Sequence, residues 1–198
     1  SPTMKTRILL LSLALSAGAF AAARTMLFQE PAMPEVTDHH KRILAGVGKW
    51  EGTITMFMPG MEPQAMPAKE TVEALGPYWT TSTCTADMGG MAFAGKSSLG
   101  YDSDKKQYVG TWIDSTTTYL TVMHGEFDAK KNATIMRWKG PNWMGDGTET
   151  DFRSESIQRA DALVSTFYVG SGEGTKHMEI KLKRKAAAAA VDAGADKK

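Results

Sequence analysis

From Trp50 onward the chain alternates with a two-residue period, and that habit limits its possible folds more than any other feature. Trp50, Gly52, Ile54, Met56 and Met58 share one parity, while Glu51, Thr53 and Thr55 share the other. Such alternation is the pattern of a strand with one face to bury. It recurs, in segments rich in Thr, Tyr, Trp, Phe, Val and Ile, over 68–75, 78–86, 91–101, 106–115, 117–127, 133–139, 148–158, 162–170 and 174–184. Short turn sequences separate most of them, among them Gly76-Pro77, Asp102-Ser103-Asp104-Lys105 and Gly170-Ser171-Gly172-Glu173-Gly174. Links of this length join antiparallel neighbours but leave no room for the helical crossovers of a parallel sheet.

A short helix precedes the strands. Asp38 is placed to cap His39 to Leu44, with Ile43, Leu44 and Val47 as apolar contacts and Gly46 or Gly48 as its end. The expected fold is therefore all-β: an antiparallel up-and-down barrel of about ten strands with one N-terminal helix, since closure removes the two exposed sheet edges. An open two-sheet sandwich is the alternative. Within the strands, Met178, Ile180 and Leu182 share the core parity of the last segment, opposed by His177, Glu179, Lys181 and Lys183. In 106–115 both parities are substantial, Tyr108, Gly110, Trp112 and Asp114 against Val109, Thr111 and Ile113.

The two ends read differently from this middle. Met4-Lys5-Thr6-Arg7 followed by the apolar run Ile8 to Ala23, closing on Ala19-Phe20-Ala21 and Ala21-Ala22-Ala23, has the layout of an export leader. Residues 1–23 are expected to be removed, with Ser1-Pro2-Thr3 an upstream start-site choice or a scar. The run is shorter than the roughly 20 apolar residues a spanning helix needs, so no stable membrane insertion is expected after cleavage. Residues 24–37 read as a linker, 38–185 as a single barrel domain, and 186–198 as an Ala-rich low-complexity tail. The 198 residues carry 23 Lys and Arg against 22 Asp and Glu; loss of Lys5 and Arg7 turns the formal charge from +1 to −1. A balance so even suits an exported, periplasmic or secreted protein and gives no nucleic-acid surface. The single cysteine, Cys84, permits neither an intrachain disulfide nor a thiolate metal cluster.

Local patterns accumulate along the middle in a fixed order. They are His40-x-x-Ile43-Leu44-x-x-Val47-Gly48-x-Trp50-x-Gly52, Phe93-Ala94-Gly95 with Gly100-Tyr101-Asp102, and Tyr108-Val109-x-x-Trp112-x-Asp114-Ser115-x-x-Thr118. Gly125-x-x-Asp128 and Lys176-x-Met178-Glu179 with Arg184 complete them. In order and spacing these resemble the bacterial family called domain of unknown function 1579, from about His39 to Arg184. The resemblance implies a calycin-type barrel, related in architecture to lipocalins, fatty-acid-binding proteins and the haem-binding nitrobindins, and it assigns no activity. Two departures stand out: the methionine density of the first hairpin, and His177 where the family pattern is more often apolar.

Chemistry-bearing constellations are scarce. No phosphate-binding glycine motif precedes a helix, and Asp114-Ser115 has no histidine in a defined relation to it, so Asp114 is expected to serve turn donors and no enzyme is expected. A barrel interior that binds a small apolar or amphipathic molecule is the leading reading, with Trp50, Trp79, Tyr101, Trp112 and Phe127 as its candidate contacts. A rival is a barrel filled by its own side chains and acting through its surface. A third reading uses Met56, Met58, Met61 and Met66, because soft thioethers select Cu(I); the same flexible residues also suit an adaptable apolar loop at a barrel mouth. Haem would need an inward histidine in a dry pocket. On parity only His124 qualifies, since His177 opposes the apolar set of its strand.

Overall fold

The computed structural model describes residues 33–142 and 147–186. The expected leader, most of the linker and the tail beyond 186 lie outside the described residues. The chain divides into residues 1–35 and 36–198; of the first, 33–35 are described and have no regular structure.

Helix α1 runs Asp38–Leu44. Its cap falls one residue earlier than expected, at Thr37, whose N–H donates to Nδ1 of His40 at 3.0 Å. Asp38 sits in the first turn and pairs with Lys41 at 2.9 Å. Ten strands follow: β1 (Gly48–Met56), β2 (Gln64–Leu75), β3 (Trp79–Asp87), β4 (Ala92–Asp102), β5 (Gln107–Asp114), β6 (Thr121–Asp128), β7 (Ala133–Pro141), β8 (Glu149–Gln158), β9 (Ala162–Val169) and β10 (Thr175–Arg184). Each pairs antiparallel with its chain neighbours, and β1 also pairs with β10 over Trp50↔Arg184 to Met56↔Met178, so the sheet closes into a meander barrel. With both edges of β1 occupied, the sandwich alternative falls.

Two boundaries moved for identifiable reasons. Strand β2 begins at Gln64, not 68, although Pro67 lies in the added part; Gln64 to Pro67 pair only with β1, and β3 meets β2 from Ala68 onward. A proline on such an edge breaks no ladder on its free side. Strand β6 begins at Thr121, not 117, because Asp114 Oδ1 accepts the Thr116 N–H at 2.8 Å and its hydroxyl at 2.6 Å, which turns the chain after β5.

The inward face is fixed by a packed cluster of Trp50, Ile54, Ala68, Cys84 and Leu182, joined by Met56, Met66, Trp112, Met178 and Ile180. Following the register from these residues around the barrel assigns every strand's lumen side. In β10 the two-residue alternation is interrupted between Lys176 and Met178 by a bulge. A bulge adds a residue on one strand and re-aims the side chains beside it.

Candidate functional site

The lumen has a floor and a mouth. The floor is the end nearer α1, where Ile43, Tyr108 and Met136 are buried against Leu99, Tyr101, Met123 and Phe127. His39 stacks on Tyr101 with ring centroids 4.1 Å apart and its Nδ1 lies 3.0 Å from the Tyr108 hydroxyl. Burial holds His39 below the usual histidine range, helped by the nearby Arg42 charge. His40 is also buried; its Nδ1 accepts from Thr37, which leaves Nε2 to donate to the Tyr101 carbonyl at 3.2 Å. Arg42 lies over the Phe127 ring, 3.5 Å from its centroid.

Beside this plug, the Trp50 indole N–H donates to the Gly46 carbonyl at 2.9 Å. Arg184 lies 4.2 Å from the Trp50 ring and donates to the carbonyls of Ala45, Val47 and Ala160 at 2.6 to 2.7 Å. Three of the five nominated aromatics, Trp50, Tyr101 and Phe127, thus form the floor or its edge. Trp79 leaves the set altogether. It pairs with Gly100 on the outward parity, and an added Cβ at Gly100 would fall within its indole, so the ring lies flat on the outside of the barrel.

Trp112 is the nominated residue on the lumen wall toward the mouth. Its ring lies over Gly95, where an added Cβ would overlap the indole, and its Nε1 donates to Asp114 Oδ2 at 2.9 Å. Held at both places, the indole lines the wall instead of crossing the lumen. Asp114 stays below the ordinary carboxylate range: partial burial opposes this, and the Thr116 hydroxyl and amide together with the Trp112 indole outweigh it. The opposite wall carries Trp138 stacked on Phe152 at 5.6 Å, with Phe167 set edge-on to Trp138 at 6.3 Å.

The bulge in β10 corrects the histidine reading. His177 is 4% exposed and its ring lies 5.9 Å from Phe152 and 6.4 Å from Phe167, both lumen residues, so it points inward with Met178. His124, the candidate favoured by parity, is exposed on the outer face of β6. Desolvation alone pushes the His177 imidazole down to about 4, so it is neutral at pH 7. The four methionines are also divided: Met56 and Met66 pack into the lumen cluster, Met58 is half-buried beyond β1, and Met61 is 53% exposed. Among the described residues no three His, Cys, Asp or Glu side chains gather as a metal site.

Polar groups that sequence reading passed over line the middle of the lumen. Glu70 occupies an inward position of β2 between Trp50 of β1 and Cys84 of β3. It shares a hydrogen bond with Ser82, whose Oγ lies 2.9 Å from that of Ser97 on β4. Burial raises the Glu70 carboxyl above its ordinary range, only partly offset by Ser82. Burial and the neighbouring Glu70 push the Cys84 thiol up to about 12, so it carries no thiolate chemistry at neutral pH. On the far wall, Ser156 and Ser165 form a second hydroxyl pair at 2.8 Å. The parity of Ala68, Glu70 and Val72 in the sequence already puts Glu70 on the apolar side of its strand; nothing in the sequence marks the bulge that turns His177.

The sequence profile described as "Protein of unknown function (DUF1579)" matches residues 35–184. The chain belongs to this family. Its match covers α1 and all ten strands, in agreement with the order of motifs read from the sequence. Among solved structures, the crystal structure of Rv2717c from M. tuberculosis is similar, with a TM-score of 0.55 at 11% identity, over 76% of this chain and 99% of that one. That likeness is one of fold. No curated protein matches the chain significantly in sequence.

Proposed function

We propose that this DUF1579 barrel is a non-catalytic carrier that holds one small amphipathic molecule in its lumen, admitted at the end away from α1. The observation that carries the reading is the accessible surface kept by inward aromatic side chains away from the floor. At the floor, Tyr108 is 1% exposed and Trp50 and Leu182 are each 2% exposed. Toward the mouth, Trp112, Trp138, Phe167 and Met178 face inward yet keep accessible surface. A ten-stranded lumen is wider than that of eight strands, which side chains just fill. Here many inward positions are small, among them Gly52, Ala68, Ala86, Gly95 and Gly110. Aromatic walls with a few polar groups are the ordinary composition of a small-molecule site. If the leader read at residues 4–23 operates, the carrier works outside the cytoplasm.

The test is a titration with Nile red, an uncharged amphiphilic dye. Saturable one-to-one binding is expected, lost in Ala86→Trp, which fills the lumen near the mouth, and retained in Trp79→Ala, which alters only the outer face. Binding unaffected by A86W would refute the lumen as the site.

The inward His177 favours haem as a second reading, because a neutral imidazole inside an aromatic lumen is what an axial ligand requires. Haem bound there would supply an iron centre for a diatomic gas or for electron transfer; His177, whose ring is set edge-on to Phe152 and Phe167, would hold it. A sharp Soret band on adding haemin, absent in His177→Leu, would support that reading, and an unchanged haemin spectrum would end it.

A further inference from the structure

Resting on the lumen reading above, we infer that Glu70, Ser82 and Ser97 form an internal acceptor-rich seat, selecting ligands whose polar head donates hydrogen bonds and carries no negative charge. An alcohol, an amide or an amine fits; a carboxylate does not. The seat is built across three adjacent strands. Glu70 is half-buried at an inward position of β2, paired with Trp50 on one side and Cys84 on the other.

Hydroxyl arithmetic sets the polarity of the seat. Each serine has one proton to give and two lone pairs to offer. Ser82 bonds both Glu70 and Ser97, so when it donates to the carboxyl, Ser97 donates to Ser82. Both hydroxyl protons are then used within the chain of bonds, and what Glu70 and Ser97 have left to offer is acceptor capacity. A ligand that brings donors completes the set, whereas one that brings only acceptors leaves buried groups facing each other without a proton between them.

The charge of the lumen points the same way. Inward strand positions carry two carboxyl groups, Glu70 and Asp114, and one cation, Arg184. The Arg184 guanidinium is taken up by three backbone carbonyls at the floor. Arg42, from α1, lies over Phe127 at the same end. His177 is neutral, and Asp114 is occupied by Trp112 and Thr116. No described cation is therefore ion-paired to Glu70 or positioned beside it to receive an anionic head.

The experiment is displacement of Nile red from the full chain by three probes with one twelve-carbon tail, dodecanol, dodecylamine and dodecanoate, each below its micellar concentration at pH 7.5. Dodecanol and dodecylamine are expected to compete at least tenfold better than dodecanoate. In Glu70→Gln, which is isosteric and removes a buried acid, the amine is expected to lose its advantage over dodecanoate by at least fivefold. Dodecanoate competing as well as the other two in the wild type would overturn the seat while leaving the lumen reading intact. An amine-over-dodecanoate preference in E70Q as large as that of the wild type would do the same. Failure of Nile red and all three probes to bind would overturn both. Should E70Q fail to fold, the wild-type ranking alone decides.

Discussion

Replacing Gly95 with alanine is a one-carbon change whose cost follows from where the Trp112 ring lies. The added Cβ would overlap the ring carbons of the indole, and the backbone of β4 has little freedom to retreat, since Gly95 is paired with Cys84 on one side and Asp114 on the other. The ring must therefore swing into the lumen and give up its bond to Asp114 Oδ2. Overpacking of this kind costs about 1–3 kcal/mol, and a hydrogen bond to a charged group contributes about 1.5–3 kcal/mol. With partial relief by the open lumen, G95A is expected to lose about 2–4 kcal/mol, a large share of the 5–15 kcal/mol typical of a domain. Urea denaturation measures it, and the decisive comparison is a double-mutant cycle with Trp112→Leu. In the W112L background there is no indole to displace, so G95A is expected to cost under about 1 kcal/mol there, a coupling well above the additivity error of about 0.5 kcal/mol. Strictly additive losses in the cycle would refute the packing of the indole on Gly95.

The other predictions concern the floor, the buried histidine and the mouth. Arg184→Met is expected to cost about 1–3 kcal/mol, because it removes three hydrogen bonds from a charged donor, the one to Val47 part-buried, and uncovers Trp50; Arg184→Lys should recover less than half of that in thermal denaturation, lacking the planar fork. His177, near 4 when folded against an ordinary value of 6.5, binds its proton later in the folded protein than in the unfolded chain. Its contribution is therefore complete above pH 6.5 and is withdrawn as the pH falls toward 4, by about 3 kcal/mol; His177→Leu should flatten the stability–pH curve over that interval, and parallel curves would contradict it. Met58→Leu with Met61→Leu is expected to leave the melting temperature within about 2 °C, as a volume-conserving swap outside the lumen cluster.

The barrel was legible in the sequence because period-two alternation and short turns leave a meander as the simplest closed solution. Strand ends were less so. Asp114 ended β5 through side-chain bonds to Thr116, and Pro67 was accommodated where β2 has a neighbour on one side only, both of which depend on register and not on composition. The functional interior was read less well for a geometrical reason. An aromatic residue in an alternating strand reads as a lumen contact, yet Trp50, Tyr101 and Phe127 are committed to the floor and Trp79 lies outside. Parity would have recovered Glu70, Ser82 and Ser97, whose inward positions follow once Ala68 and Cys84 are in the core. His177 lay beyond reach, since a single inserted residue reverses parity locally without leaving a mark in the residue types.

The most direct test of a ligand-carrying lumen is native mass spectrometry of the protein purified under gentle conditions from its native host, followed by addition of Nile red and dodecanol to the same sample. The expected result is a reproducible one-to-one added mass, either carried through purification or acquired from the two probes, and absent in A86W. A bare chain that takes up neither probe would contradict a carrier and leave a barrel whose function resides on its outer surface.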